Sequence, residues 1–153
     1  MEIKKILWPT DFSDNSNAAL PYVLSLTQKY GAEIYLLYVA EDRADYASWY
    51  GEIAPPDFEK LYQWEIPHAE KKMEHYCRKD LAGCPMFHKL VVVGDPAEKI
   101  LETAKKEGVD VVVMATHGRK GRHEFGSVTE RVVKRSSVPV WTVRVRPFKR
   151  KKK

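Results

Sequence analysis

The feature that most constrains this chain is a set of short apolar runs that do not alternate with polar residues. Ile34 to Ala40 reads Ile-Tyr-Leu-Leu-Tyr-Val-Ala, and Val111-Val112-Val113 is equally continuous. A strand with one wet face alternates, whereas a strand covered on both faces does not. Continuous runs therefore point to a parallel sheet between two helix layers. Lys5 to Trp8, Ile34 to Ala40, Phe87 to Val93, Val111 to Thr116 and Val138 to Val145 are read as the five strands.

The segments between them carry helix signals. Ser13 or Asp14 can cap a helix that runs to Gly31 through Ala18, Ala19, Tyr22, Val23, Leu26 and Tyr30. A long helical stretch extends from Asp57 to about Leu81, and Pro67 inside it predicts a kink or a late true start. Asp95-Pro96-Ala97-Glu98 sets an N-cap, a proline at N1 and an acid at N3 in order, with Gly108 placed to end that helix. Ser127 with Glu130 repeats the capping-box pattern before a last helix. Four helices alternating with five strands predict an open α/β fold, a parallel sheet with helices on both faces. Right-handed crossovers then put any ligand beyond the carboxyl ends of the strands, where strand order reverses.

A chain of 153 residues, 44% hydrophobic, fits one domain over residues 1–146. Lys149, Arg150, Lys151, Lys152 and Lys153 account for the whole formal net charge of +5, so residues 147–153 read as a basic, solvated tail rather than a nucleic-acid site. Ile6-Leu7-Trp8 after Lys4-Lys5 is too short for a signal-peptide core, and no apolar run approaches the ~18 residues of a membrane span. Cys77 and Cys84 match neither a redox CxxC nor a zinc pair, and two reduced thiols fit a cytoplasmic protein.

Met114 to Ser127 leaves the fourth strand through Ala-Thr-His-Gly-Arg-Lys-Gly-Arg-His-Glu-Phe-Gly. Glycines allow backbone N–H groups to approach an anion, and the helix that follows adds roughly half a positive charge at its start. The plain alternative is a surface turn with Ser127 capping its helix. Gly121-x4-Gly126-Ser127 imitates a Walker A loop without its lysine, and no GxGxxG follows any strand. His117 and His123 have no carboxylate or cysteine at a ligand spacing, so neither metal nor acid–base chemistry is expected of them. Tyr46, Trp49 and Tyr50 follow the second strand and can cover the sheet end, lid a ligand or meet a partner.

Ile6-Leu7-Trp8-Pro9-Thr10-Asp11-Phe12-Ser13, Leu36-Leu37-Tyr38-Val39, Val93-Gly94-Asp95-Pro96, Ala115-Thr116-His117-Gly118-Arg119 and Gly126-Ser127-Val128-Thr129-Glu130-Arg131-Val132, with Val138-Pro139-Val140 after them, resemble the universal stress protein family. The resemblance runs to about Val145. It implies strand order 3-2-1-4-5, a homodimer formed through Val138 to Val143, and in one subgroup ATP between the ends of strands 1 and 4. It further implies that Pro9, Thr10, Asp11 and Val39 lie near adenine and ribose, Val39 through its backbone. Ala115, Thr116, His117, Gly118, Arg119, Lys120 and Gly121, together with Gly126, Ser127, Val128 and Thr129, match the phosphate segments, and Mg2+ accompanies the triphosphate. The family's pattern is glycine, two residues, glycine, nine residues, glycine and serine or threonine. Here Ala115 replaces the first glycine and only seven residues separate Gly118 from Gly126. The resulting expectation is a cytoplasmic, non-catalytic regulator that binds ATP, ADP or AMP, with a dimeric adaptor whose pocket is empty as the alternative.

Overall fold

The structure is a computed structural model, and it describes residues 1–42, 55–80, 86–118 and 125–145. Arg119, Lys120, Gly121, Arg122 and His123 lie outside the described residues, as do Tyr46, Trp49, Tyr50, Leu81, Cys84 and the tail. The elements in chain order are β1 Lys5–Pro9, α1 Asp14–Asn17, α2 Leu20–Tyr30, β2 Glu33–Glu41, α3 Pro55–Lys79, β3 Phe87–Gly94, α4 Pro96–Glu107, β4 Val111–Ala115, α5 Ser127–Arg135 and β5 Val140–Val143. The strands form one parallel sheet in the order β3-β2-β1-β4-β5.

Two apolar clusters sandwich the sheet. On one face Ile6, Trp8, Ile34, Leu36 and Val113 meet Val23 of α2 and Met73 of α3. On the other, Leu7, Leu37, Val112 and Met114 meet Ile100 of α4 and Val132 of α5. Successive residues of β1 thus feed opposite cores, and Ile6, Leu7 and Trp8 are all fully buried. The lack of alternation in the sequence has this cause.

The helix caps follow local chemistry. Ser13 caps α1 by accepting from the Ser16 amide, and Asp95 caps α4 by accepting from the Glu98 amide. Gly31 and Gly108 end α2 and α4 at φ 65° and 61°, left-handed values that favour glycine.

Four expectations are corrected. The first helix is two, because Pro21 has no N–H for the Asn17 carbonyl and the chain tightens at Ala18 and Ala19 into i to i−3 bonds. Pro67 causes no late start: α3 runs from Pro55 to Lys79 around it, with Pro67 and Gln63 both exposed, so water can satisfy the freed Gln63 carbonyl. β4 stops at Ala115, where the Thr116 carbonyl turns to accept from the Gly126 amide instead of extending the ladder. β5 begins only at Val140, since Ser136 Oγ bonds both the carbonyl and the amide of Val138 and Pro139 has no N–H to give.

Candidate functional site

The sheet reverses its order between β1 and β4, and the two strands separate there. Their paired register is Ile6 with Val111 and Leu7 with Val112, although β1 continues to Pro9 and β4 to Ala115. The cause is legible in the backbone. Lys5 presents its carbonyl to Asp110 on the β4 side, while Thr10 gives its amide to Leu37 on the β2 side. Residues two apart share an edge, so Pro9 faces β4, where it has no N–H to donate. Beyond it lies the switch-point crevice in which sheets of this topology bind ligands.

The same parity places Val39. Leu37 points its carbonyl at β1, so Val39 also directs its N–H and C=O toward β1's side, at a level where β1 has ended. Its backbone therefore edges the crevice.

The turn after β1 is held by short polar side chains. Thr10, which is buried, has its Oγ1 2.8 Å from Ser16 Oγ and accepts from the Phe12 amide at 3.0 Å. Asp11 Oδ1 accepts from the Ser13 amide at 2.9 Å and also from the Ser13 hydroxyl. Asn15 Nδ2 reaches across the crevice and donates to the Gly118 carbonyl at 2.9 Å. These bonds tie the exit of β1 to the exit of β4.

On the β4 side, Ala115 and Thr116 are buried. Phe12 is the only described non-glycine residue with positive φ, so Ala115 keeps ordinary strand backbone and its methyl is tolerated. Thr116 Oγ1 lies 2.9 Å from His117 Nδ1 and accepts from the Val145 amide at 3.3 Å. Gly118 packs against Asp11: a Cβ there would stand 2.6 Å from Asp11 Oδ2. Gly126 in turn lies on the same bend, where a Cβ would meet the Thr116 carbonyl oxygen at 3.2 Å and Gly118 N at 3.8 Å. Both glycines serve close approach, because neither has positive φ.

α5 is strapped to this bend. Thr129 Oγ1 donates to the Ala115 carbonyl at 2.9 Å, and the Gly126 amide donates to the Thr116 carbonyl at 2.7 Å. The expected cap is corrected here. Gly126 occupies the N-cap position and Ser127 is the first helical residue, so among the described residues no side chain caps the helix, and Glu130 accepts from Lys134 rather than reaching back. The amides of Ser127, Val128 and Thr129 have no intrahelical acceptor.

The structure thus brings Pro9, Thr10, Asp11, Val39, Ala115, Thr116, His117, Gly118, Gly126, Ser127, Val128 and Thr129 to one end of the sheet around the β1–β4 crevice. Sequence reasoning overlooked Asn15 and Ser16; the polar run Ser13-Asp14-Asn15-Ser16 just past a strand-ending proline was the available signal. Among the described residues no three His, Cys, Asp or Glu side chains gather to hold a metal ion.

Residues 2–144 match the family model described as Universal stress protein family. The chain belongs to that family. A universal stress protein of Methanocaldococcus jannaschii, MJ0577, is 34% identical over 92% of this chain and 94% of its own length. The solved structure of MJ0577 superposes with a TM-score of 0.81 over 95% of this chain and 99% of that one. Universal stress protein UspA from Lactobacillus plantarum superposes at 0.82, with 26% identity over 94% of this chain and 99% of the other. More distant universal stress protein structures share the fold, among them one solved in complex with cAMP (19% identical, TM-score 0.65, covering 95% and 100% of the two chains) and one from Arabidopsis thaliana with AMP bound (20%, 0.65, 94% and 93%).

Proposed function

We propose that this universal stress protein binds ATP, or ADP or AMP, in the β1–β4 crevice and acts as a cytoplasmic, nucleotide-dependent regulator in the stress response. The observation that carries the reading is the polarity of the crevice. A carboxylate, Asp11, stands at one side, and the uncapped amides of Ser127, Val128 and Thr129 stand at the other, with Gly118 and Gly126 between them. Ribose hydroxyls and base N–H groups seek an acceptor, while phosphates seek amide donors at a helix start. A nucleoside phosphate carries both ends in one molecule. The unpaired backbone edge of Val39 suits the rim of a purine, and the nucleotide complexes of distant relatives agree with this choice of ligand.

Mg2+ enters this reading as the counter-ion of the phosphates, with at most Asp11 as a protein ligand. Arg119, Lys120 and Gly121 belong to the same phosphate segment by position in the sequence. No catalytic role is assigned to Asp11 or His117. Nucleotide binding shifts the protein toward one arrangement of the strand ends, and a partner reads that population. The domain spans residues 1–146, and a second copy pairs through Val138 to Val143.

Calorimetry with ATP and Mg2+ tests the reading, supported by mass spectrometry of the denatured protein for co-purified nucleotide. Saturable heat is expected; no heat and no thermal shift at millimolar nucleotide would overturn it. A second reading, a dimeric adaptor of the same fold with an empty pocket, is favoured by one observation: the Gly126 amide is already used internally, which leaves the cradle one donor fewer.

A further inference from the structure

The turn that aims Asp11 at the crevice sends the next side chain the other way. Phe12 adopts φ 62°, and its ring stacks on Tyr38 at 5.0 Å between centroids. Beside it, between the ends of β1 and β2 and the helix α3, lies a cleft of about 220 Å3 lined by Phe12, Tyr38, Trp64, Glu65, His68 and Lys72. None of these residues belongs to the nucleotide crevice.

We propose that this cleft is a second ligand site, for a single-ring aromatic carboxylate. Its size sets the first limit: about 220 Å3, below the roughly 300–1,000 Å3 of pockets that take drug-sized ligands, suits one ring with a short acidic arm. The walls set the second. Trp64 is 66% exposed, which leaves a large π-face uncovered, and it lies stacked on His68 at 4.8 Å rather than buried against the core. Charge sets the third. Lys72 Nζ stands 5.3 Å from the centre of the Phe12 ring and has no carboxylate within ion-pair reach among the described residues. Glu65, the acid of the cleft, already takes the Tyr38 hydroxyl on Oε1 at 2.6 Å. The exposed ammonium is balanced by no described carboxylate and Glu65 is already engaged, so a carboxylate ligand complements the cleft better than an amine does.

The test is a titration of the full chain with phenylacetate, followed by Trp64 fluorescence and by NMR shifts of the Phe12 and Trp64 rings, with and without saturating ATP. Saturation with a dissociation constant on the order of 1 mM is expected, with weaker binding of cyclohexanecarboxylate, which has no π-face, and of benzylamine, which has the opposite charge. Lys72→Met should weaken binding roughly fivefold and Trp64→Ala should abolish it. Lys71→Met, at an exposed neighbour that does not line the cleft, should change nothing, and equal melting temperatures certify the fold of each variant. Non-saturating shifts, equal binding of the saturated ring, tighter binding of benzylamine, or no effect of Lys72→Met would each overturn the proposal. Because the two sites share no lining residue among the described ones, failure here leaves the nucleotide reading intact, and calorimetric failure with ATP leaves this one.

Discussion

Asp11 and Gly118 stand so close across the mouth of the β1–β4 crevice that a β-carbon on the glycine would lie 2.6 Å from Asp11 Oδ2. Contact at that distance is repulsive, and Asp11 has little freedom to yield because Oδ1 is held by the Ser13 amide at 2.9 Å and by the Ser13 hydroxyl. Gly118→Ala should therefore displace Asp11 and cost about 1–2 kcal/mol through the lost bonds. In an Asp11→Ala background the same substitution should cost at least about 1 kcal/mol less, a coupling that a double-mutant cycle by urea denaturation reads directly. An unchanged cost in that background would show that the two residues do not constrain each other.

Two helix starts that look alike in sequence should respond differently to alanine. Asp95 caps α4 through the Glu98 amide at 2.9 Å, so Asp95→Ala should destabilise by about 1 kcal/mol. Ser127 is past its cap and makes no capping bond, so Ser127→Ala should stay within about 0.5 kcal/mol of wild type. Its effect should appear in nucleotide affinity, where a hydroxyl donor at the phosphate end is lost. Chemical denaturation and calorimetry on the same two variants separate the roles, and a stability loss at Ser127 matching that at Asp95 would restore the capping role the sequence suggested.

Why one capping box was legible and the other misleading comes down to the residue in front. Asp95-Pro96 fixes its own start, since proline at N1 has the helical φ and needs no acceptor. At Gly126-Ser127 the start is set by a tertiary bond, Gly126 amide to Thr116 carbonyl, between residues ten apart in sequence that no local pattern reveals. Val39 repeats the lesson. That it sits near a strand end is visible in the run Leu36-Leu37-Tyr38-Val39, but that its backbone faces an absent neighbour depends on register with Thr10 and on the length of β1. Strand number and the layered core were readable because burial on both faces leaves an unbroken apolar run. The break between α1 and α2 was also readable in principle, from Pro21, and was lost beneath the stronger periodic signal of Val23 and Leu26.

The junction of α4 and α5 should respond to acid. Arg131 Nη1 donates to Asp95 Oδ1 at 2.8 Å, and this bond, opposed by partial burial and aided by the Glu98 amide, holds the Asp95 carboxyl below the usual aspartate range. A depressed folded pKa means that the unfolded chain binds the proton first. The contribution to stability is therefore present above the ordinary value of about 3.9 and is lost as pH falls through the lower, folded one. Both side chains are about two-fifths exposed, so solvent screens the pair and the effect is small. Asp95→Asn should flatten the acid limb of a stability–pH profile below about pH 4 without changing its slope near neutrality. An identical acid limb in the variant would remove Asp95 from the set of groups responsible.

The outer edge of β5 is where the proposed second copy should pair. Among the described residues β5 pairs with β4 only, so its other edge offers backbone groups that meet no strand, and an uncharged edge strand attracts a second strand. Trp141, in the middle of the strand, is 43% exposed, and Tyr22 of α2, 46% exposed, stands beside it with ring centroids 6.3 Å apart. Two neighbouring aromatics left half in water beside an open edge are what a partner copy would cover. Trp141→Lys places a charge on that edge, and the aliphatic stem of the lysine keeps part of the cover that the indole gives its own chain. Sedimentation analysis should report a dimer for the wild type and a monomer for the variant, with the monomer's cooperative unfolding retained. If the variant stays dimeric, the contact lies elsewhere on the molecule, and Trp141 and Tyr22 only cover the end of the sheet for their own chain.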